Sequence, residues 1–502
     1  IITEDITISG TEFLVFDGIK NILLDLGGHK ITYDTASSRG NSITSLISFL
    51  NGENIVVKNG DIFQKGNSAS YTISLSGTVY NYEIFGLNIF TNGQPTPSDG
   101  SAGIHIQNTN LLSSVKNTTR NKIHHNYLEN TGISRPIQTG SNNIDIPCSY
   151  DIDIYNNILV GAHWSIEAQN IEAAACPRDK KNHKIYNNLI EAWRYSGVKA
   201  GQGLRLTSCL DCEVFNNQIG SDEARGMYLA GGDDRIKVYN NVISARYHVA
   251  ATDGYSDTRP YGIWTRSSWN DEIFGNEILV INSINYDNPE NHLIGIAIMR
   301  DAGIPDTAPN IATQNLQIHD NIITVIRTDP SVAKALGIEF GNQTGGELGG
   351  QNNKIERNII RAESAVYWIS SLFFETPRSN VFSENTFIKP RHAFSNWNEG
   401  NVPSSGNRTV AETDNPAGAP ARPTGLTIRN IHGRAILEWN KNLETDVMGY
   451  WVYRNGQKIP DTYFRATRFY VDKNAKVSDS YAISAIDYSW LEGEKSQEII
   501  FR

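Results

Sequence analysis

A short phrase recurs along this chain: an apolar residue, two variable residues, asparagine, a variable residue and another apolar one. It reads IHHNYL at Asn126, IYNNIL at Asn157, IYNNLI at Asn188, VFNNQI at Asn217 and VYNNVI at Asn241. It continues as IFGNEI at Asn276, IHDNII at Asn321 and IERNII at Asn358, with looser copies IFGLNIF at Asn88 and VFSENTF at Asn385. The spacing runs from 24 residues (Asn217 to Asn241) to 45 (Asn276 to Asn321). A floor near two dozen with irregular excess predicts one coil of fixed size carrying loops of variable size. Apolar alternation on both sides of each asparagine predicts short strands. One such coil cannot bury its apolar face alone, whereas stacked coils share a continuous core.

Asparagine suits the bend for two reasons. It tolerates a left-handed backbone, and its amide bonds along the stack to the asparagine of the next coil. A second phrase precedes most copies: GIHIQ from Gly103, GLRLT from Gly203, GMYLA from Gly226, GIWTR from Gly262, GIAIM from Gly295 and GIEFG from Gly337. NNIDIP and HWSIEAQ fill the same place in their coils. Each coil is therefore expected to hold three short strands. The pattern resembles the right-handed parallel β-helix of the pectin lyase-like superfamily, and NILLDLGGHKIT (Asn21 to Thr32) resembles the opening coil of that group. The resemblance covers residues 1–403 and implies an all-β fold, with the sheet of GIxIx strands and its following turn as the usual place of the active site. One scaffold of this kind hosts many chemistries.

Residues 404–423 are rich in Pro, Gly, Ala and Ser without strand alternation and read as a linker. Residues 424–502 show short alternating strands with glycine turns, expected of a small β-sandwich. RPTGLTIRNIHGRAILEWN, GYWVYRNG and DSYAISAIDYSW resemble a fibronectin type III domain, with Trp439 as its core tryptophan and Tyr481 as its late-strand tyrosine. No catalytic grouping is visible there, so deletion of residues 404–502 is expected to spare activity.

Side chains on a strand alternate in and out. With the isoleucines inward, one outward column is expected to run His105, Asp145, Ser165, Arg205, Tyr228, Trp264, Ala297, Glu339. A neighbouring column runs Gln107, Pro147, Glu167, Thr207, Ala230, Arg266, Met299, Gly341. Coils repeat at ~4.8 Å, so Asp145, Glu167, Arg205, Tyr228 and Arg266 share one patch. A lyase acting on a uronic acid neutralises a carboxylate, removes the adjacent ring proton and assists the leaving oxygen. Arg205, Arg266, Tyr228 and Glu167 are the catalytic candidates for that work. His105, Trp264 and Glu339 are substrate-binding candidates, Trp264 as a flat face for a sugar ring. Asp145 and Glu167 are the candidate ligands of Ca²⁺, the one cofactor this site suggests. The same two carboxylates on adjacent rungs also meet the need of a glycoside hydrolase. A non-catalytic adhesin and a uronate epimerase complete the alternatives.

The net charge is −10 and no Lys/Arg run stands out, which argues against nucleic acid as partner. No apolar stretch approaches the ~18 residues of a membrane span. The architecture suggests a secreted or periplasmic monomer whose partner is a polysaccharide. Of the four cysteines only Cys209 and Cys212 are close in sequence, which favours disulfides or free thiols over a four-thiolate zinc site. Cys148 and Cys176 follow strands of neighbouring coils and are the expected pair.

Overall fold

The structure is a computed structural model. It describes the chain apart from residues 9–13, 35–44, 66–70, 92–100, 108–119, 131–140, 162–163, 170–181, 193–200, 223–224, 248–259, 283–291, 301–312, 329–333, 343–349, 369–378, 396–403, 412–417 and 460–463. The described residues form a right-handed parallel β-helix and an antiparallel β-sandwich packed on its flank.

Most coils contribute one strand to a 13-stranded parallel sheet and two to a 25-stranded one; in two early coils the latter pair is one continuous strand, Glu53–Lys65 and Tyr80–Thr91. The GIxIx strands make the first sheet, in unbroken chain order from Leu14–Asp17 through Gln202–Thr207, Arg225–Ala230 and Tyr261–Arg266 to His392–Ser395. The strands on either side of each asparagine make the second. Inward isoleucines, leucines and valines such as Ile123, Ile154, Ile185, Val214 and Val238 form one core along the stack. Burying each side chain of this size contributes roughly 1.5–3 kcal/mol. The glycine opening each phrase is needed for close approach. A Cβ on Gly262 would lie 2.3 Å from Ile278 Cγ2 and 2.6 Å from the Gly295 carbonyl oxygen.

The asparagines form a ladder inside the bend. Asn157 Nδ2 donates to Ile123 O (3.0 Å) and to Asn188 Oδ1 (3.0 Å), and that same Oδ1 accepts the Asn157 backbone N–H (3.1 Å). The unit repeats from Asn126 through Asn217, Asn241, Asn276, Asn321, Asn358 and Asn385 to Asn407. Two expectations are corrected here. Asn88 is outside the ladder: Leu87 holds that place, its N–H bonding Asn126 Oδ1, while Asn88 pairs with Asp61. The left-handed backbone belongs to the residue before each ladder asparagine, as at Asn156 (φ 54), Asn187 (φ 55) and Asn216 (φ 55). The tight turn and the amide ladder therefore fall on separate residues.

One position earlier, outward rings stack coil upon coil. Phe85, His124, Tyr155, Tyr186, Phe215, Tyr239, Phe274 and His319 follow each other with centroids 4.7 to 5.1 Å apart. Their faces are spent on one another, so this ladder stiffens the stack.

The helix continues into the stretch expected as linker: Ser404–Ser405 pairs with Val381–Ser383, and Arg408–Val410 with Thr386–Ile388. The sandwich then sets Thr427–Ile431, Arg434–Glu438 and Phe469–Asp472 against a sheet ordered Gln457–Lys458, Val447–Arg454, Ser480–Asp487, Ile499–Ile500. It leans on the helix through two mixed apolar clusters. One joins Tyr127, Ile158 and Val160 to Ile436, Phe469 and Val471; the other joins Val242, Leu279 and Ile281 to Met448, Phe464, Ala466 and Ile486.

Among the described residues the bridged cysteines are Cys209 and Cys212. The expected Cys148–Cys176 pair lies outside what is described, as Cys176 and the Cys148 side chain both do. Among the described residues no helix is long and apolar enough to cross a membrane.

Candidate functional site

The outer face of the 13-stranded sheet carries the expected column with one change of register. His105, Asp145, Glu167, Arg205, Tyr228, Trp264, Ala297 and Glu339 are successive partners. Glu167 therefore stands where Ser165 was expected, directly between Asp145 and Arg205, and Ser165 is buried. An alternating strand looks the same after a shift of two residues, so the pattern leaves this choice open. Gln107 likewise pairs with Cys148 in place of Pro147, because the strand bulges between Asp145 and Cys148. Arg266 keeps its place between Ala230 and Met299.

The register builds a cationic cluster on aromatic rings. Arg205 Nη1 donates to Glu167 Oε1 at 2.7 Å, and its guanidinium lies 5.9 Å from the Trp164 ring and 5.5 Å from that of Tyr228. Arg225 lies 5.2 Å from the Tyr228 ring and 4.2 Å from that of Trp264. Arg266 lies 5.4 Å from the Trp264 ring, and its Nη1 is 3.4 Å from Tyr228 Oη. The rings are the covered layer and the half-buried guanidiniums border solvent. Guanidinium-on-aromatic packing holds each cation in place.

Two substrate-contact expectations change. Trp264 has 0% of its surface exposed, enclosed by Tyr228, Tyr261, Ala297 and Met299, so it supports arginines and offers no open face to a sugar. His105 is also buried, its ring stacked 3.8 Å from that of Tyr71. The physical reason is common to both: residues pointing out of this sheet pack into a second apolar layer, which strand alternation cannot distinguish from solvent exposure.

Glu339, three rungs from Tyr228 and the third substrate-contact candidate, is fully buried with Oε1 3.2 Å from His292 Nδ1, so it too offers no open contact to a sugar. Tyr367, its partner in the next coil, has its hydroxyl 3.3 Å from Lys334 Nζ. Arg225, His292, Lys334, Tyr367 and Trp164 were not singled out from sequence. Arg225 had a signal, since it immediately precedes the GMYLA phrase; His292 and Lys334 lie outside any phrase.

Beneath the end of the Arg205 strand, Asp233 Oδ1 accepts the Cys209 N–H at 2.6 Å and Asp271 Oδ1 accepts the Ile236 N–H at 2.9 Å. Burial, and next the charge of Asp271, holds the Asp233 carboxyl well above the usual range. Burial pushes the Asp271 carboxyl up to about 8.

The calcium expectation rests on Asp145 and Glu167. Asp145 is described in its backbone alone, and the Glu167 carboxylate is already engaged by Arg205. Among the described residues no three His, Cys, Asp or Glu side chains group as a metal site.

No protein-family model and no curated protein matches the chain. Solved structures do. Among them is the spore cortex lytic enzyme SleM of Clostridium perfringens, 24% identical over 16% of this chain and 28% of that one, with TM-score 0.14. The Dettilon tailspike protein aligns over 95% of this chain and 71% of its own at 11% identity, TM-score 0.45. A double mutant of the tailspike of E. coli bacteriophage HK620, solved with a pentasaccharide, aligns over 95% and 74% at 14% identity, TM-score 0.43. This chain spans less than a third of SleM.

Proposed function

We propose that this protein acts on an acidic polysaccharide along the outer face of the 13-stranded sheet, cleaving it by β-elimination. One observation carries the reading: Arg205, Arg225 and Arg266 converge on the adjacent rings of Tyr228 and Trp264. Guanidiniums fixed in a half-buried site suit the carboxylate of a uronic acid, and they stabilise the negative charge that develops when the neighbouring ring proton leaves. In this mechanism Tyr228, beside Arg266, relays that proton to the glycosidic oxygen. The C–H bond and the C–O bond to the leaving sugar break, a C=C bond forms, and no water is consumed. Arg205 is positioned by Glu167.

A second reading is favoured by the direct pairing of Asp145 with Glu167. Adjacent rungs place their Cα atoms ~4.8 Å apart, and a glycosidase works through two neighbouring carboxyl groups. The sandwich is proposed to be a fibronectin type III module. Its three-plus-four strand order supports this, as do the buried Trp439 and the Tyr481 hydroxyl donating to Asp472 at 2.8 Å. Such a protein is expected outside the cytoplasm.

Incubation with acidic and neutral polysaccharides separates the readings. Ultraviolet absorbance of unsaturated uronates, lost in Arg225→Ala, is the expected result. New reducing ends without that absorbance would transfer the assignment to a hydrolase.

A further inference from the structure

Where the sandwich leans on the helix, a cleft of about 410 Å³ opens on a different face from the arginine cluster. Its helix side is a run of bend residues, His125, Asn156 and Asn187, one per coil, with Ile158 beside them. Its sandwich side carries Arg429 and Glu438, which are ion-paired with each other. Asn156 Nδ2 lies 3.2 Å from His125 Nε2. Both walls are fixed. Arg434 of the sandwich donates to both carboxylate oxygens of Glu129 at 2.8 and 2.7 Å, and the Tyr127, Ile158 and Phe469 cluster closes the joint behind.

The chemistry of this cleft selects among ligands. Amide and imidazole groups both donate and accept, as sugar hydroxyls do, and they repeat at the coil spacing of ~4.8 Å. Among the described lining residues one arginine is matched by one carboxylate, which gives no charge preference for an acidic ligand. Leu189 and Ile431, which line the cleft and are half-buried, supply the apolar patch that the C–H face of a sugar ring covers. Preformed clefts of ~300–1,000 Å³ between domains are common ligand sites.

We propose that this cleft binds a neutral oligosaccharide, independently of the acidic polymer assigned to the sheet. The test is calorimetric titration of the full chain with maltohexaose, cellohexaose, xylohexaose and mannohexaose, and with hexagalacturonate as the charged control. At least one neutral sugar is expected to bind with Kd on the order of 0.1–1 mM. Asn156→Gly/Asn187→Gly removes both amides while keeping the left-handed bends (φ 54 and 55) free of strain. That variant, and separately Arg429→Met, should weaken neutral binding at least tenfold at unchanged melting temperature, with hexagalacturonate affinity unaltered. Failure of all four neutral sugars to bind, undiminished binding by both variants, or parallel loss of hexagalacturonate binding would overturn the proposal. Absence of hexagalacturonate binding in the unmodified protein counts against the acidic-polymer reading and leaves the cleft untouched.

Discussion

Arg465 of the sandwich reaches Glu191 of the helix with Nη1 2.5 Å from Oε2, and neither side chain has more than 1% of its surface exposed. Arg246 approaches the same carboxylate at 3.6 Å. Removing one partner of such a pair while the joint stays closed leaves the other charge buried and uncompensated. The sandwich and the helix thus share buried contacts, polar here and apolar in the two clusters beside them.

Arg465→Met is predicted to lower stability by about 3 kcal/mol, the usual cost of removing one partner of a buried pair. The double variant with Glu191→Gln should recover part of the loss. Urea unfolding measures both. Truncation after Val410 bares Tyr127, Ile158, Val242 and Leu279, so the shortened chain should aggregate or melt lower, with activity falling alongside. A truncated protein with unchanged melting would show the joint to be energetically idle.

The ladder predicts a sharp contrast between two asparagines. Asn188→Ala deletes the bonds to Ile154 O and Asn217 Oδ1 and orphans the buried Asn157 N–H, so a loss of about 3 kcal/mol is expected. Asn88→Ala, outside the ladder, should cost less than about 1 kcal/mol. Equal losses in denaturant melts would mean the ladder contributes nothing special.

Asp271 makes stability depend on pH. Its folded pKa, about 8, lies above its unfolded value, so the folded protein holds an extra proton between roughly pH 4 and 8. Stability from this group is complete below that window and is lost as pH rises through it. Asp271→Asn keeps an acceptor for the Ile236 N–H without the charge. The variant should match the parent at pH 4 and exceed it by more than about 1.4 kcal/mol at pH 9. Unfolding curves at the two pH values decide this.

For the catalytic reading, Arg205→Ala, Arg225→Ala and Arg266→Ala should each lower turnover by about 10²–10³. Glu167→Gln should lower it less, by loosening Arg205, and added Ca²⁺ should not restore it. Restoration by Ca²⁺ would reassign Glu167 to a metal. Full activity in all four variants, measured as product formed per minute, would place the chemistry elsewhere on the helix.

The sequence by itself determined the coil, the three strands in each, the ladder from Asn126 to Asn385 and the outward identity of Arg205, Tyr228, Trp264 and Glu339. These are local matters: a period-two pattern and a bend residue recur whatever lies beyond the coil. Tertiary structure alone decided the rest. It moved Glu167 two residues along its strand, because alternation is blind to an even shift and only pairing with Asp145 and Arg205 fixes it. It buried Trp264 and His105, because an outward side chain meets solvent only if nothing packs over it. It also joined Arg465 to Glu191 across 274 residues, a contact to which neither residue's neighbours in sequence point. Pairing between distant segments is set by shape and charge across a completed surface, and that surface exists only once the stack has formed.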